Sequence, residues 1–270
     1  MRLLRVAAGQ EASVAGELAV NVATAARLAT SAADRGARVL VLPELFLTGY
    51  APETWAHEAS IALDDPDLAP LVELATERDL VVLAGAAVRR ALDASTLSLL
   101  AFTPDGEVHV AYDKQHLTGP ERDFFTRGDR GGSLVVDGWD LGLGICYDAR
   151  FPGHAGAAVE AGAAAYLVSM AYYVGGEHRR DLRLASRALD LGVYVVAAGL
   201  TGHCGEGRFS GGTSVHDPEG RALQLLDDEP GVLVVDLDPT AVARARADYP
   251  ADEDPPGEGA ARARVGVLPR

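Results

Sequence analysis

One lysine stands in this chain of 270 residues, Lys114, beside 23 arginines. Arginine and lysine serve a solvated surface about equally well. The bias therefore says that arginine has replaced lysine wherever either would do. The remaining lysine is either a chance survivor or a place where a compact ammonium on a flexible stem is needed and a planar guanidinium fails. Positive charge is scarce overall: 24 basic residues face 39 acidic ones, a formal charge of −15 with a sequence pI near 4.8. That balance excludes nucleic acid and anionic membrane surfaces as partners, since both attract basic patches. Cysteine is nearly absent, and Cys146 and Cys204 are too few for a disulfide framework. The opening residues reach Gln10 and Glu11 before a signal-peptide core can form, so the expected compartment is the reducing cytoplasm. The central charge-free run, Ala161 to Gly176, falls short of the roughly 20 residues of a membrane span and reads as buried core.

Apolar residues make up 48% of the sequence, ample for a sizeable core, and strand-like runs alternate with helical stretches as in α/β proteins. Strands are expected at Leu3–Ala8, Arg38–Leu42, Leu80–Val88, Leu97–Thr103, Leu141–Ile145, Ala165–Ser169 and Val193–Ala198. Helices are expected at Leu18–Ala33, Pro66–Asp79, Gly153–Ala161 and His178–Leu191. A β-rich closing section turns at Asp217-Pro-Glu-Gly220. The polar stretch Asp113–Gly132 shows no period, and loops that long are usually functional. No repeat and no internal linker is visible. One domain over residues 1–247 is expected, followed by an extended Pro-, Gly- and acid-rich tail over 248–270.

Three candidate reactive residues share one context, the end of a strand or the loop after it, where α/β folds collect functional groups. Glu44 follows Pro43, Lys114 follows Tyr112-Asp, and Cys146 follows Gly142-Leu-Gly-Ile. The last is a strand running into a sharp turn, similar to a nucleophile elbow. Taken singly, each has an ordinary reading as an inert thiol, a helix cap or a surface charge. Cys204 beside His203 is a second thiol candidate, but adjacent residues rarely face each other. His116 and His154 are the histidines best placed to make a protease-like pair with Cys146. The seven histidines show no paired metal-ligand spacing, and no metal or organic cofactor is expected.

Read together, these contexts resemble the nitrilase superfamily of carbon–nitrogen hydrolases. Leu42-Pro-Glu-Leu-Phe-Leu-Thr-Gly-Tyr50 resembles its glutamate motif, Tyr112-Asp-Lys-Gln-His-Leu117 its lysine motif, and Gly142-Leu-Gly-Ile-Cys-Tyr-Asp-Ala-Arg-Phe-Pro152 its cysteine motif. The order is right and the likeness covers nearly the whole chain. It implies an α/β fold, a four-layer αββα sandwich, paired as a homodimer or higher homo-oligomer through helices such as His178–Leu191 and the tail. It also implies hydrolysis of a small linear carboxamide to carboxylate and ammonia. Cys146 then forms a thioester, Glu44 serves as general base and acid, and Lys114 with the backbone N–H of Tyr147 stabilises the oxyanion. Glu121 matches a second family glutamate that holds the lysine or orients substrate; the alternative is a loop carboxylate paired with Arg122 or Arg127. Tyr50 closes the glutamate motif as a supporting residue.

The pocket is less determined. Tyr147, where true nitrilases commonly carry Trp, favours an amide over a nitrile. Cys-Tyr-Asp-Ala-Arg-Phe resembles the ω-amidase and deaminated-glutathione amidase branch, which suggests an ω-amide of a dicarboxylic acid. Arg150 either reads a substrate carboxylate or pairs with Asp148. Met170, Ala171 and Tyr172 follow a strand and are expected to line the pocket. Tyr172-Tyr173 and Arg179-Arg180 depart from that branch, so the exact amide stays open. Alternatives are an N-carbamoyl amidohydrolase, a nitrilase, and an inactive binding module on the same scaffold.

Overall fold

The computed structural model of the protein describes residues 2–56, 59–91 and 94–248. In chain order the strands are β1 (Leu4–Gln10), β2 (Val39–Val41), β3 (Val81–Ala91), β4 (Ala94–Phe102), β5 (Val108–Asp113), β6 (Ser133–Val136), β7 (Trp139–Ile145) and β8 (Ala165–Met170). They continue with β9 (Tyr194–Gly199), β10 (Thr201–Cys204), β11 (Gly207–Ser210), β12 (Ser214–His216), β13 (Ala222–Leu225) and β14 (Gly231–Leu237). The helices are α1 (Leu18–Asp34), α2 (Ala69–Arg78), α3 (Glu121–Phe124), α4 (Pro152–Glu160), α5 (Glu177–Leu191) and α6 (Pro239–Asp248). The expected tail beyond Asp248 lies outside the described residues. No described helix is long and apolar enough to cross a membrane.

Two six-stranded sheets form, in the orders β14-β1-β2-β3-β4-β5 and β13-β12-β9-β8-β7-β6. β2 faces β8 and β9 across the interior, and Ser169 on β8 donates to the Leu42 carbonyl at 2.7 Å. Helices α1 and α2 cover the first sheet, α4 and α5 the second. The result is the αββα sandwich. Inner strands are covered on both faces, so they read as continuous apolar runs rather than alternating ones: Val39, Leu40 and Val41 are all fully buried. The outer helices carry one apolar stripe each. On α1, Val22, Ala25, Leu28, Ala29 and Ala32 are buried at helical spacing, and α5 stops at Gly192, whose φ of 58° is the left-handed conformation that glycine takes freely.

Three elements depart from the sequence expectation. The polar loop 113–132 contains the short α3. Thr201–Ser210 forms the hairpin β10–β11, its turn made at Gly205 and its Phe209 ring stacked on Tyr173 at 4.8 Å. The unassigned stretch before the tail is α6, whose first turn is capped by Asp238 accepting from Thr240 N–H at 2.8 Å, with Pro239 at the first helical position.

One close approach fixes the glutamate segment. A Cβ on Gly85 of β3 would lie 2.4 Å from Leu45 N and 2.6 Å from Pro43 O, and Leu47 N–H donates to the Gly85 carbonyl at 2.9 Å. Gly85→Ala is therefore expected to cost about 1–3 kcal/mol in denaturant unfolding and to displace Glu44. A variant with the wild-type midpoint and activity contradicts this reading.

Candidate active site

Glu44, Lys114 and Cys146 leave three different strands and converge. Glu44 sits in the turn after β2, where Leu45 adopts a positive φ of 50°. Lys114 follows β5, its N–H held by the Leu97 carbonyl at 2.9 Å. Cys146 directly follows β7 with φ 45°, a strained conformation for a non-glycine residue, and opens a 3₁₀ turn over Cys146–Arg150. The expected elbow is present, made by backbone strain at the cysteine itself.

The lysine is the hub. Its Nζ donates to Glu44 Oε1 at 2.5 Å and to both oxygens of Glu121 at 2.8 Å, and all three side chains are fully buried. Glu121 is thus the lysine's partner and not that of Arg122 or Arg127. It also accepts from the Tyr50 hydroxyl at 2.6 Å and from Thr118 N–H at 2.9 Å. Tyr50 in turn packs edge-on against Trp55, Tyr173 and Phe209. A buried ion pair of this kind survives only where its remaining hydrogen-bonding capacity is met. One atom is the exception: Glu44 Oε2 is buried with no hydrogen-bond partner.

Electrostatics follow from burial. Desolvation pushes the Glu44 carboxyl up to about 7; Lys114 opposes the shift, Glu121 adds to it, and interaction with the Cys146 thiol lowers it slightly. Burial alone would push Lys114 down, but the two carboxylates outweigh it and hold the ammonium above the usual lysine value. Burial, reinforced by the Glu44 charge, pushes the Cys146 thiol well up, against the pull of Lys114. At neutral pH the cysteine rests as a thiol beside a carboxylate poised to titrate. The arrangement can move one proton between sulfur and Glu44 next to a fixed cation.

A cavity of about 570 Å³ opens over Cys146, lined by Tyr50, Thr118, Tyr147, Arg150, Ala171, Tyr172, Tyr173, Arg179 and Arg183 among others. The Cys146 Sγ lies 4.0 Å from the Ala171 carbonyl. Met170 departs from expectation: it is fully buried in the core and absent from the lining, because successive residues of a strand point to opposite faces and Ala171 takes the cavity side. Arg150 does not pair with Asp148. Its guanidinium bonds the Tyr147 hydroxyl and lies over the Tyr147 ring, 5.3 Å from the centroid. Arg180 is buried in hydrogen bonds to Ser210 and Gly211, so of the Arg179-Arg180 pair only Arg179 faces the cavity. Sequence reasoning missed Arg183, which donates to the Tyr172 hydroxyl at 3.1 Å; its signal was the i, i+4 spacing from Arg179.

The other candidates lie elsewhere. Cys204 is buried and His203 exposed, on opposite faces of β10. His116 and His154 bond Asp148, Tyr112 and Tyr166, and not the thiol. His116, Asp148 and His154 each bring a ligand-type atom within 4.8 Å of the others, and they are tied together by hydrogen bonds among Asp148, His116, Tyr112, His154 and Tyr166.

The carbon–nitrogen hydrolase family matches residues 5–247. Among relatives, an (R)-stereoselective amidase from a Pseudomonas species is 31% identical over 239 residues, covering 87% of this chain and 85% of that protein. The 2-oxoglutaramate amidase of Bacillus subtilis is 30% identical, covering 82% and 86%. A solved amidase of the nitrilase superfamily from Nesterenkonia sp. AN1 superposes with a TM-score of 0.80 at 28% identity, over 91% of this chain and 95% of that one. With motifs, sandwich and relatives in agreement, the chain belongs to the carbon–nitrogen hydrolase family of the nitrilase superfamily and is a hydrolase of carbon–nitrogen bonds other than peptide bonds.

Proposed function

We propose that the protein hydrolyses a small linear carboxamide bearing a carboxylate at its far end, an ω-amide of a dicarboxylic acid being the simplest form. The observation that carries the chemistry is the buried Glu44, one oxygen bound to Lys114 and the other without a partner, interacting with the Cys146 thiol. Glu44 takes the thiol proton as sulfur bonds to the amide carbon. Lys114 and the backbone N–H of Tyr147 stabilise the oxyanion. Glu44 then gives its proton to the nitrogen, the C–N bond breaks, and ammonia leaves a thioester on Cys146. Water attacks next, losing a proton to Glu44, and the thiol is restored as the acid departs. Support comes also from the Nesterenkonia amidase, a form of which carries the acetamide moiety of fluoroacetamide covalently added at its active-site cysteine.

The carboxylate is argued from charge. Three arginines, 150, 179 and 183, line a cavity on a chain of net charge −15, and among the described residues no Asp or Glu lines it. A guanidinium reads a carboxylate in a bidentate fork. The 2-oxoglutaramate amidase is a relative whose named substrate carries such a group. Ammonia release from a panel of matched neutral and carboxylate-bearing amides tests the reading, with intact mass of the acyl-enzyme naming the acyl group. Faster turnover of the anionic amides and a mass increment on Cys146 are expected. Equal turnover of the neutral amides overturns the carboxylate assignment, release of carbon dioxide and ammonia from an N-carbamoyl amino acid assayed beside the panel, with the amides left intact, identifies that substrate class instead, and no turnover of any amide overturns the proposed amide hydrolysis.

A further inference from the structure

Asp148 stands two residues past the cysteine, fully buried, and lines no part of the substrate cavity. Its carboxylate is surrounded by donors. Oδ2 accepts from Ile145 N–H at 3.0 Å and from the Tyr112 hydroxyl at 2.8 Å. Oδ1 accepts from His116 N–H at 2.9 Å and lies 2.8 Å from His116 Nδ1. Ile145 immediately precedes Cys146, while Tyr112 and His116 stand two residues on either side of Lys114. One carboxylate thus grips the backbone entering the strained elbow and both flanks of the lysine, which come from different sheets.

The outer ring of contacts keeps this grip in one arrangement. The Tyr112 hydrogen goes to Asp148, which has only acceptors, so His154 Nε2 at 2.8 Å from the Tyr112 oxygen carries its own proton and donates. His154 Nδ1 is then the acceptor for the Tyr166 hydroxyl at 2.9 Å, and Gln115 N–H donates to the Tyr112 oxygen at 3.1 Å. His116 stacks on Phe151 at 4.0 Å. His116 and His154 line a second cavity, about 820 Å³, which shares no lining residue with the one over Cys146.

We infer that Asp148 is a positioning residue: by holding Ile145, Tyr112 and His116 on one carboxylate, it sets the placement of the Cys146 thiol relative to Lys114. The inference rests on the reading of Cys146 as nucleophile and Lys114 as its fixed cation. An asparagine at this position keeps the size but offers one acceptor oxygen, and its amide hydrogens face donors. Misplacement on the scale of an ångström costs on the order of 10²-fold in rate.

The test compares Asp148→Asn, Tyr112→Phe and the double variant, each corrected for its folded fraction by circular dichroism. Two readouts are taken: kcat and KM for the best amide of the panel, and the rate at which iodoacetamide alkylates Cys146, followed by intact mass. Asp148→Asn is expected to lower kcat on the order of 100-fold with KM near wild type, and to slow alkylation. Tyr112→Phe should do the same to a smaller extent, and the double variant should be no worse than Asp148→Asn, because both act through one carboxylate. Wild-type kcat and alkylation in folded Asp148→Asn overturn the inference, as does a rise in KM alone. If Asp148→Asn does not fold, Tyr112→Phe and His116→Ala decide in its place, and normal kcat with normal alkylation in both overturns it. Should the wild type turn over no amide, the proposed reaction fails while the alkylation rates still report on Asp148.

Discussion

Lys114→Arg is expected to release no ammonia above the background set by Cys146→Ala, although it preserves the charge of the chain. The Nζ reaches Glu44 at 2.5 Å and Glu121 at 2.8 Å in a site closed to solvent, and its three hydrogens match the three oxygens it meets. A guanidinium is a wider, flat fork with its donors in one plane. Inserting it overpacks the site at a cost of about 1–3 kcal/mol and forces the two carboxylates apart. On the proposed mechanism it also moves positive charge away from the developing oxyanion, a loss comparable to removing one oxyanion-hole donor, which typically costs about 10²–10³ in rate. With Glu44 displaced as well, both losses fall on the same step. Turnover at saturating amide, with circular dichroism and thermal melting to establish that the variant is folded but less stable, is the measurement. Near-normal turnover would return the single lysine to coincidence.

Glu44→Gln is expected to lower kcat/KM by about 10²–10⁴ and to change its pH dependence. In the wild type, burial holds the Glu44 carboxyl at about 7. Only the ionised carboxylate can take the thiol proton, so activity is full above that pH and is lost as pH falls through it, tenfold per unit well below. The thiol of Cys146 is itself pushed well above its ordinary value, so it stays protonated across this window and adds no acid limb of its own. Glutamine cannot titrate, and whatever activity remains should show no limb near 7. A kcat/KM profile of both proteins between about pH 5 and 9 checks this. A wild-type profile with no limb near 7 that stays flat down to about pH 5, as a carboxyl at the ordinary value of about 4.3 would give, or an unchanged limb in the variant, contradicts the role given to Glu44.

The layers and the three converging residues were legible because they are written locally. Apolar runs mark strands, and Glu44, Lys114 and Cys146 stand at strand ends inside recognisable contexts. The substrate side was less so. Tyr50 and Glu121 meet across 71 positions of sequence, and nothing in either segment announces the other. Met170 was misplaced by one residue of strand parity, which a run without alternation does not reveal. Asp148 reads as a plausible partner for Arg150 until the 3₁₀ turn sends one side chain inward and the other out. The β10–β11 hairpin lies under Gly-rich, polar sequence that carries little strand preference, and the fold holds it through Phe209 on Tyr173. Local pattern decides which elements form; contacts between distant segments decide which side chains meet.

Glu44 and Lys114 hang from the sheet that contains β2 and β5, whereas Cys146 and Ala171 hang from the one that contains β7 and β8. Neither half of the sandwich holds a working set. On the proposed mechanism, a chain in which only one sheet has formed carries a thiol with no base, or a base with no thiol, and turns over nothing. Turnover by that mechanism requires the two sheets docked, which makes its recovery during refolding a clock for that event rather than for the formation of secondary structure.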